Sequence, residues 1–236
     1  MGELEHRLEA LHPGRMLDLA TGRGGGAAWL ASIFAGDAPI VCSDFSPRGF
    51  RADSHAFGER RMLPLVCDGG ALSLDEGTMD LVCCVNSLHH FPQPGVVLEE
   101  MRRVAAPGAA LVISEMHSET STDAQATHRA LHHWWAACDR LMGEYHGETF
   151  TRAELQGLVE NMEPAELLVE ERHADGGDPQ DPRLMRWLEN GCDGYLQRLR
   201  DHGGSEDLIR RGLDLKQRLR EKGFSPAPRL IILAVL

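Results

Sequence analysis

Leu17-Asp18-Leu19-Ala20-Thr21-Gly22-Arg23-Gly24-Gly25-Gly26-Ala27 is a short apolar run that breaks into a cluster of glycines and then becomes helical in pattern. A Cβ in such a turn blocks a ligand's approach to the backbone, and the N–H groups of a helix start face whatever lies above it. Gly22, Gly24 and Ala27 also satisfy the loose G-x-G-x-x-A spacing of dinucleotide sites. The stretch therefore announces the first strand, turn and helix of a βαβ unit facing a nucleotide-like ligand, without choosing the ligand.

Outward from that turn, further apolar runs at 15–20, 39–44, 62–67, Met79–Val85 and 109–115 read as strands covered on both faces. Helical stretches fit between them at 24–34, 47–57 and 94–105, the last opening on Pro94. Residues 122–142 then place Leu131, Trp134, Cys138 and Leu141 at helical spacing, and only one of the adjacent Trp134 and Trp135 can face a core. Thr151 and Glu154 form a capping box, with Phe150 stapling onto Leu155. A strand at 165–172 precedes a helical excursion at 175–225, whose two helices are capped by Asp181 and Ser205 and stopped by Gly203-Gly204 and Gly223. The chain ends in an apolar strand at 229–236, reached without a crossover helix and so expected to be antiparallel.

The expected fold is α/β: a doubly wound, seven-stranded, mostly parallel sheet with an antiparallel last strand and helical cap insertions. Residues 1–117 form the cofactor-binding half, 118–150 a helical lid, and 151–236 the rest of the sheet with its insertion. The two insertion helices should pack as a hairpin, roofing an acceptor pocket or forming a homodimer contact.

The 236 residues carry a net charge of −12, a sign that disfavours nucleic acid or an anionic membrane as the main partner. Cys42, Cys67, Cys83, Cys84, Cys138 and Cys192 contain no CxxC pair and read as reduced core residues. The acidic start lacks a signal-peptide pattern, so the expected location is cytoplasmic.

Downstream acids narrow the ligand. Asp44 ends the second strand and Asp68 the third, in Leu65-Val66-Cys67-Asp68-Gly69-Gly70. The fourth continues into Asn86-Ser87-Leu88-His89-His90-Phe91, and Leu98-Glu99-Glu100-Met101-Arg102-Arg103-Val104 leads to Pro107-Gly108 and the fifth strand. With these motifs in order, the chain resembles the class I (Rossmann-like) S-adenosylmethionine-dependent methyltransferases, in particular their small-molecule branch, over residues 17–115. Ala20 departs from the glycine many members carry, a change familiar in the quinone-methylating relatives. The resemblance implies S-adenosyl-L-methionine as cofactor, with Gly22 and Gly24 against its methionine part, Asp18 holding the loop or the amino group through water, Asp44 binding the ribose, and Ala20 and Phe45 also among the cofactor-binding residues. It implies Asp68 and Gly69 at the adenine, and Asn86 and Ser87 beside the sulfonium.

Methyl transfer needs alignment more than protein chemistry, and a base only where the acceptor is protonated. His117, Tyr145 and His146 are the candidate bases. His89 and His90 read as structural residues of a bend. His128, His132 and His133 share a helix, but no carboxylate or cysteine at matching spacing completes a ligand set, so no metal is expected. A small-molecule acceptor is the expected partner. The competing readings are an NAD-dependent oxidoreductase, whose last strand would run parallel, and a non-catalytic S-adenosylmethionine-binding protein.

Overall fold

The computed structural model describes residues 2–50, 61–174 and 177–236. Its strands are β1 (Met16–Leu19), β2 (Ile40–Asp44), β3 (Met62–Val66), β4 (Met79–Val85), β5 (Ala105–Met116), β6 (Glu166–Arg172) and β7 (Arg229–Val235). They form one seven-stranded sheet in the order β3-β2-β1-β4-β5-β7-β6. β1 to β5 pair in parallel, whereas β7 is antiparallel to both β5 and β6. The antiparallel last strand is the outcome that speaks against the oxidoreductase reading.

Successive residues of a strand face opposite sides of the sheet, and both sides here are covered, which explains the near-continuous apolar runs. On one side Leu17, Leu19, Val82, Cys84, Leu111 and Ile113 pack against α3 (Pro94–Val104) and α5 (Arg152–Glu160). On the other, Met16, Ile40, Cys42, Leu81, Cys83 and Val112 meet α1 (Glu3–Glu9) and α2 (Gly25–Ile33). The short α1 was not legible in the sequence. It buries only Leu4 and Leu8, and ion pairs of Glu5 with Arg172 and of Arg7 with Glu166 tie it to β6.

Two elements differ from the sequence expectation. Pro47–Gly49 form a 3-10 turn, and the remainder of the helix expected at 47–57 falls largely on residues 51–60, outside the described ones. Ser205 occupies its N-cap position but makes no side-chain cap bond, whereas Asp181 accepts the N–H groups of Arg183 and Leu184. The Thr151–Glu154 capping box is present as expected.

The third apolar cluster belongs to α4 (Asp123–Leu141), α6 (Pro182–Asp201) and α7 (Glu206–Lys222). Trp134 stands at its centre, fully buried, with its indole N–H donating to the Leu208 carbonyl at 2.9 Å. A Cβ on Gly212 would sit 2.3 Å from the Trp134 ring, so only glycine lets α7 approach this closely. Trp135 leans instead on Tyr195. The insertion helices thus pack as a hairpin, and they do so against α4. β5 and β6 enter this cap from their carboxyl ends and β7 leaves it, so it rises over that edge of the sheet. Among the described residues, no helix is long and apolar enough to cross a membrane. All six cysteines are free thiols.

Candidate functional site

The strand order reverses between β1 and β4, and in open α/β sheets the crevice outside the carboxyl ends at that point is where ligands bind. The glycine turn leaves β1 there. Asp18 lies beneath it, about 1% exposed, with Oδ2 accepting the Thr21 hydroxyl and Oδ1 the Cys83 thiol. A Cβ on Gly26 would come within 2.3 Å of the Asp18 carboxylate, so the first turn of α2 presses directly on it. Burial, opposed by those hydrogen bonds, lifts the Asp18 pKa to about 6. Asp18 therefore holds the loop from below.

The turn itself carries Ala20 at φ 52, Gly22 at φ 51 and Gly24 at φ 86, left-handed conformations that an alanine adopts only under strain. Among the described residues, nothing lies within 4 Å of where a Gly22 or Gly25 Cβ would be. Asp44, at the end of β2, fixes the turn from the side. Its Oδ2 accepts the Gly22 N–H and its Oδ1 the Ser46 N–H, each at 2.9 Å. Each carboxylate oxygen can accept more than one bond, so this pairing leaves capacity for ligand hydroxyls. Phe45, the next residue, leaves 84% of its surface uncovered.

Asp68 follows β3 with its side chain in a tight turn, accepting the Gly70 N–H at 2.9 Å. Gly69 is buried, and a Cβ there would meet the Phe91 ring at 2.7 Å. From β4, Asn86 adopts φ 51, and the Ser87 hydroxyl donates to the Ala20 carbonyl at 3.1 Å. Ser87 thus joins the two strand ends across the reversal point. The structure gathers the ten residues expected at the cofactor along the carboxyl ends of β1 to β4.

Beyond Ser87 lies a polar constellation that local spacing could not reveal. Glu115, fully buried near the end of β5, accepts the Ser87 and Leu88 N–H groups at 2.6 and 2.5 Å. Its Oε2 stands 2.8 Å from His89 Nδ1. His89 Nε2 lies 3.2 Å from His132 Nε2, which lies 3.2 Å from His146 Nε2. His146 Nδ1 in turn meets Asp139 Oδ2 at 2.8 Å. The other helix histidines point elsewhere: His128 accepts the Ala227 N–H, and His133 bonds Thr149. His132 of α4 is thus joined by His89 and His146, which come from distant segments. Glu115 and Asp139 had a weak signal at best, an acid ending an apolar strand and an acid on an apolar helix face.

Of the candidate bases, His146 is in this constellation, and Tyr145 beside it is about half exposed. His117 is buried elsewhere, its Nε2 3.4 Å from Glu171 of β6, with burial holding its pKa down.

Comparison with known proteins agrees with this geometry. A family described as a methyltransferase domain matches residues 17–113. The 2-methyl-6-phytyl-1,4-hydroquinone methyltransferase of Synechocystis is 28% identical over 193 residues, 80% of this chain and 57% of that protein. The demethylmenaquinone methyltransferase of Corynebacterium urealyticum is 36% identical over 110 residues, 46% of this chain and 44% of its own. The chain thus spans roughly half the length of the curated relatives it matches. Among solved structures, a Bacillus halodurans chain solved as a candidate methyltransferase has a TM-score of 0.61 at 15% identity, covering 98% of this chain and 96% of that one. A Haemonchus contortus phosphoethanolamine N-methyltransferase in complex with S-adenosyl-L-methionine gives 0.52 at 15% identity, covering 94% of this chain and 48% of that one. These structural likenesses establish the shared fold.

Proposed function

We propose that the chain, whose residues 17–113 match the methyltransferase domain, is a class I S-adenosylmethionine-dependent enzyme that methylates a small-molecule acceptor by in-line displacement. The arrangement that supports the proposal lies at the strand ends: space over Gly22 that no described residue fills, the Asp44 carboxylate fixed at its rim, and an uncovered Phe45 ring beside it. These residues fit the group the family uses. S-adenosylmethionine, when bound, supplies a methyl group already activated on a sulfonium.

The chain's own work is then positioning. Asp44 takes the ribose hydroxyls, Phe45 covers an apolar face, and Asp68 with the Gly69 N–H serves the adenine edge. The Ala20–Gly24 turn holds the amino-acid end, and Asp18 keeps that turn closed from beneath. Asn86 and Ser87 border the methyl, because Ser87 is bonded to Ala20 across the reversal point. Holding acceptor and methyl in line at ~3–3.5 Å accounts for much of the acceleration such a site can give. Tyr145 and His146 stand on the acceptor side, and His117 drops out because it faces Glu171 at the far edge of the sheet.

The cap of α4, α6 and α7 roofs the acceptor in this reading, with 118–150 as lid and 175–225 as its support. The relatives' names point to a hydroquinone and a demethylmenaquinone, so ring-hydroxylated aromatic acceptors are the class to test first. Calorimetry should show S-adenosylhomocysteine binding in preference to NADH, and labelled methyl should pass to a hydroquinone panel. Binding of NADH with no binding of S-adenosylhomocysteine refutes the proposal. Tight binding with no transfer to any acceptor leaves the non-catalytic alternative in its place.

A further inference from the structure

His89, His132 and His146 come from a bend after β4, from α4 and from the loop beyond it, yet their ring nitrogens converge. One nitrogen from each lies within 4.8 Å of the other two, and all three residues are buried. We propose that these histidines bind a divalent transition-metal ion of the zinc type at the carboxyl edge of the sheet.

In the neutral form in which an imidazole binds a metal, the three rings hold too few protons for the nitrogens that meet. The carboxylates of Glu115 and Asp139 stand 2.8 Å from His89 Nδ1 and His146 Nδ1 and can only accept, so both neutral rings carry their proton on Nδ1. Their Nε2 atoms are therefore bare lone pairs, and both face His132 Nε2. His132 can offer one proton there, which satisfies one of the two. The other Nε2 stays buried against a nitrogen with nothing to give. If the His132 proton moves to Nδ1 instead, three lone pairs point together at the centre. A cation at the centre satisfies all three lone pairs.

Two of the three nitrogen–nitrogen spacings also suit a metal. Tetrahedral zinc with Zn–N of ~2.0–2.1 Å places its ligand nitrogens about 3.3 Å apart. The two closest pairs here are both 3.2 Å apart, and the His132 ring stands steeply to the other two, at 75° and 86°. Around the three ligands lies a supporting ring of partners. A carboxylate holding the far nitrogen of a ligating histidine fixes its tautomer and raises its basicity, and two of the three ligands have one. Tyr195 supports Asp139 in turn at 3.3 Å. Gly147 packs its loop so closely that a Cβ would lie 2.7 Å from the His89 carbonyl oxygen, which keeps His146 against His89. All-imidazole sets suit zinc, copper, iron and nickel, and three protein ligands leave a position for water or an acceptor oxygen. Metal binding itself does not depend on the methyl-transfer reading.

The test uses the full chain with any affinity tag removed, stripped by chelator and then titrated with zinc or cobalt(II). The expected result is one ion per chain retained through gel filtration, and for cobalt the strong visible absorption of a four- or five-coordinate site. X-ray absorption of the zinc form should show three imidazole nitrogens at ~2.0–2.1 Å and no sulfur. His132→Ala should abolish retention, Glu115→Gln should weaken it by about 10–100-fold through the His89 tautomer, and His202→Asn, on the surface, should leave it unchanged. No uptake by the wild-type chain overturns the proposal, as does sulfur in the zinc shell or full retention by a folded His132→Ala variant. The absorption measurements need only the wild-type protein, so they decide the matter even where a variant fails to fold.

Discussion

Replacing Glu115 by alanine removes the acceptor for three donors at once. The Ser87 and Leu88 N–H groups and the His89 ring would all lose their carboxylate, in a position with no solvent to replace it. Hydrogen bonds to charged groups are each worth about 1.5–3 kcal/mol, but three sharing one carboxylate are not additive, and the buried charge carries its own desolvation cost. A net loss of about 4 kcal/mol follows, equivalent in a chain of this size to roughly 8–16 °C in Tm. Glutamine separates shape from charge. Its carbonyl can still accept both backbone N–H groups, while its amide meets His89 Nδ1 as a donor and forces the ring into the opposite tautomer. That variant should lose only about 1–2 kcal/mol. Urea unfolding followed by far-UV circular dichroism, with calorimetric Tm alongside, measures both. An alanine variant within about 1 kcal/mol of wild type would refute the account of Glu115 as the anchor of the β4 end.

Asp18 has a folded pKa of about 6 against an ordinary value of 3.8, so its protonated form is the one the fold favours. Its contribution is full below about pH 4 and is lost as pH rises through about 6, a displacement equivalent to about 3 kcal/mol. The stability difference between wild type and Asp18→Asn, taken from urea curves at pH 4, 5, 6 and 7, should therefore move toward the variant by up to that amount. A flat difference would contradict it. Asp44→Ala should weaken S-adenosylhomocysteine by about 1–3 kcal/mol, roughly 5- to 150-fold in Kd by calorimetry, and an unchanged Kd removes Asp44 from the site. Gly26→Ala should cost both stability and cofactor affinity by pressing on Asp18; normal thermal melting would show that the turn has slack. Gly212→Leu should drive α7 off Trp134, seen as a red-shifted tryptophan emission and a loss of about 1–3 kcal/mol, and unchanged emission counts against the described packing.

The sheet was readable because its signals are local. An apolar run ending in Asp44 or Asp68, a glycine turn after Leu19, or Pro94 opening a helix each announces itself within a few residues. α1 was missed because seven residues with two inward leucines make no periodic signal. The residues expected at the cofactor formed a legible series, since each lies at the end of a strand and the strands end together. The histidine constellation was not. Its members lie at 89, 132 and 146, and within α4 alone a four-residue spacing offers His132 only His128, which faces another partner. Only the close approach at Gly147 brings His146 to His89, and that contact is made across distant chain segments.

The join between β6 and β7 has a consequence for how such a chain can be re-engineered. Arg172 and Arg229 are register partners on adjacent antiparallel strands, so the sheet already holds the two ends of the 173–228 segment together. The entropy of closing a loop grows only with the logarithm of its length, and going from a four-residue turn to about fifty residues costs roughly 2 kcal/mol. A hairpin can therefore host a long graft with little loss to the host. Exchanging 173–228 as a cassette, with the α4 face recut to match around Trp134, would change the helices packed on α4. The strands that carry Asp18, Asp44 and Asp68 would stay untouched.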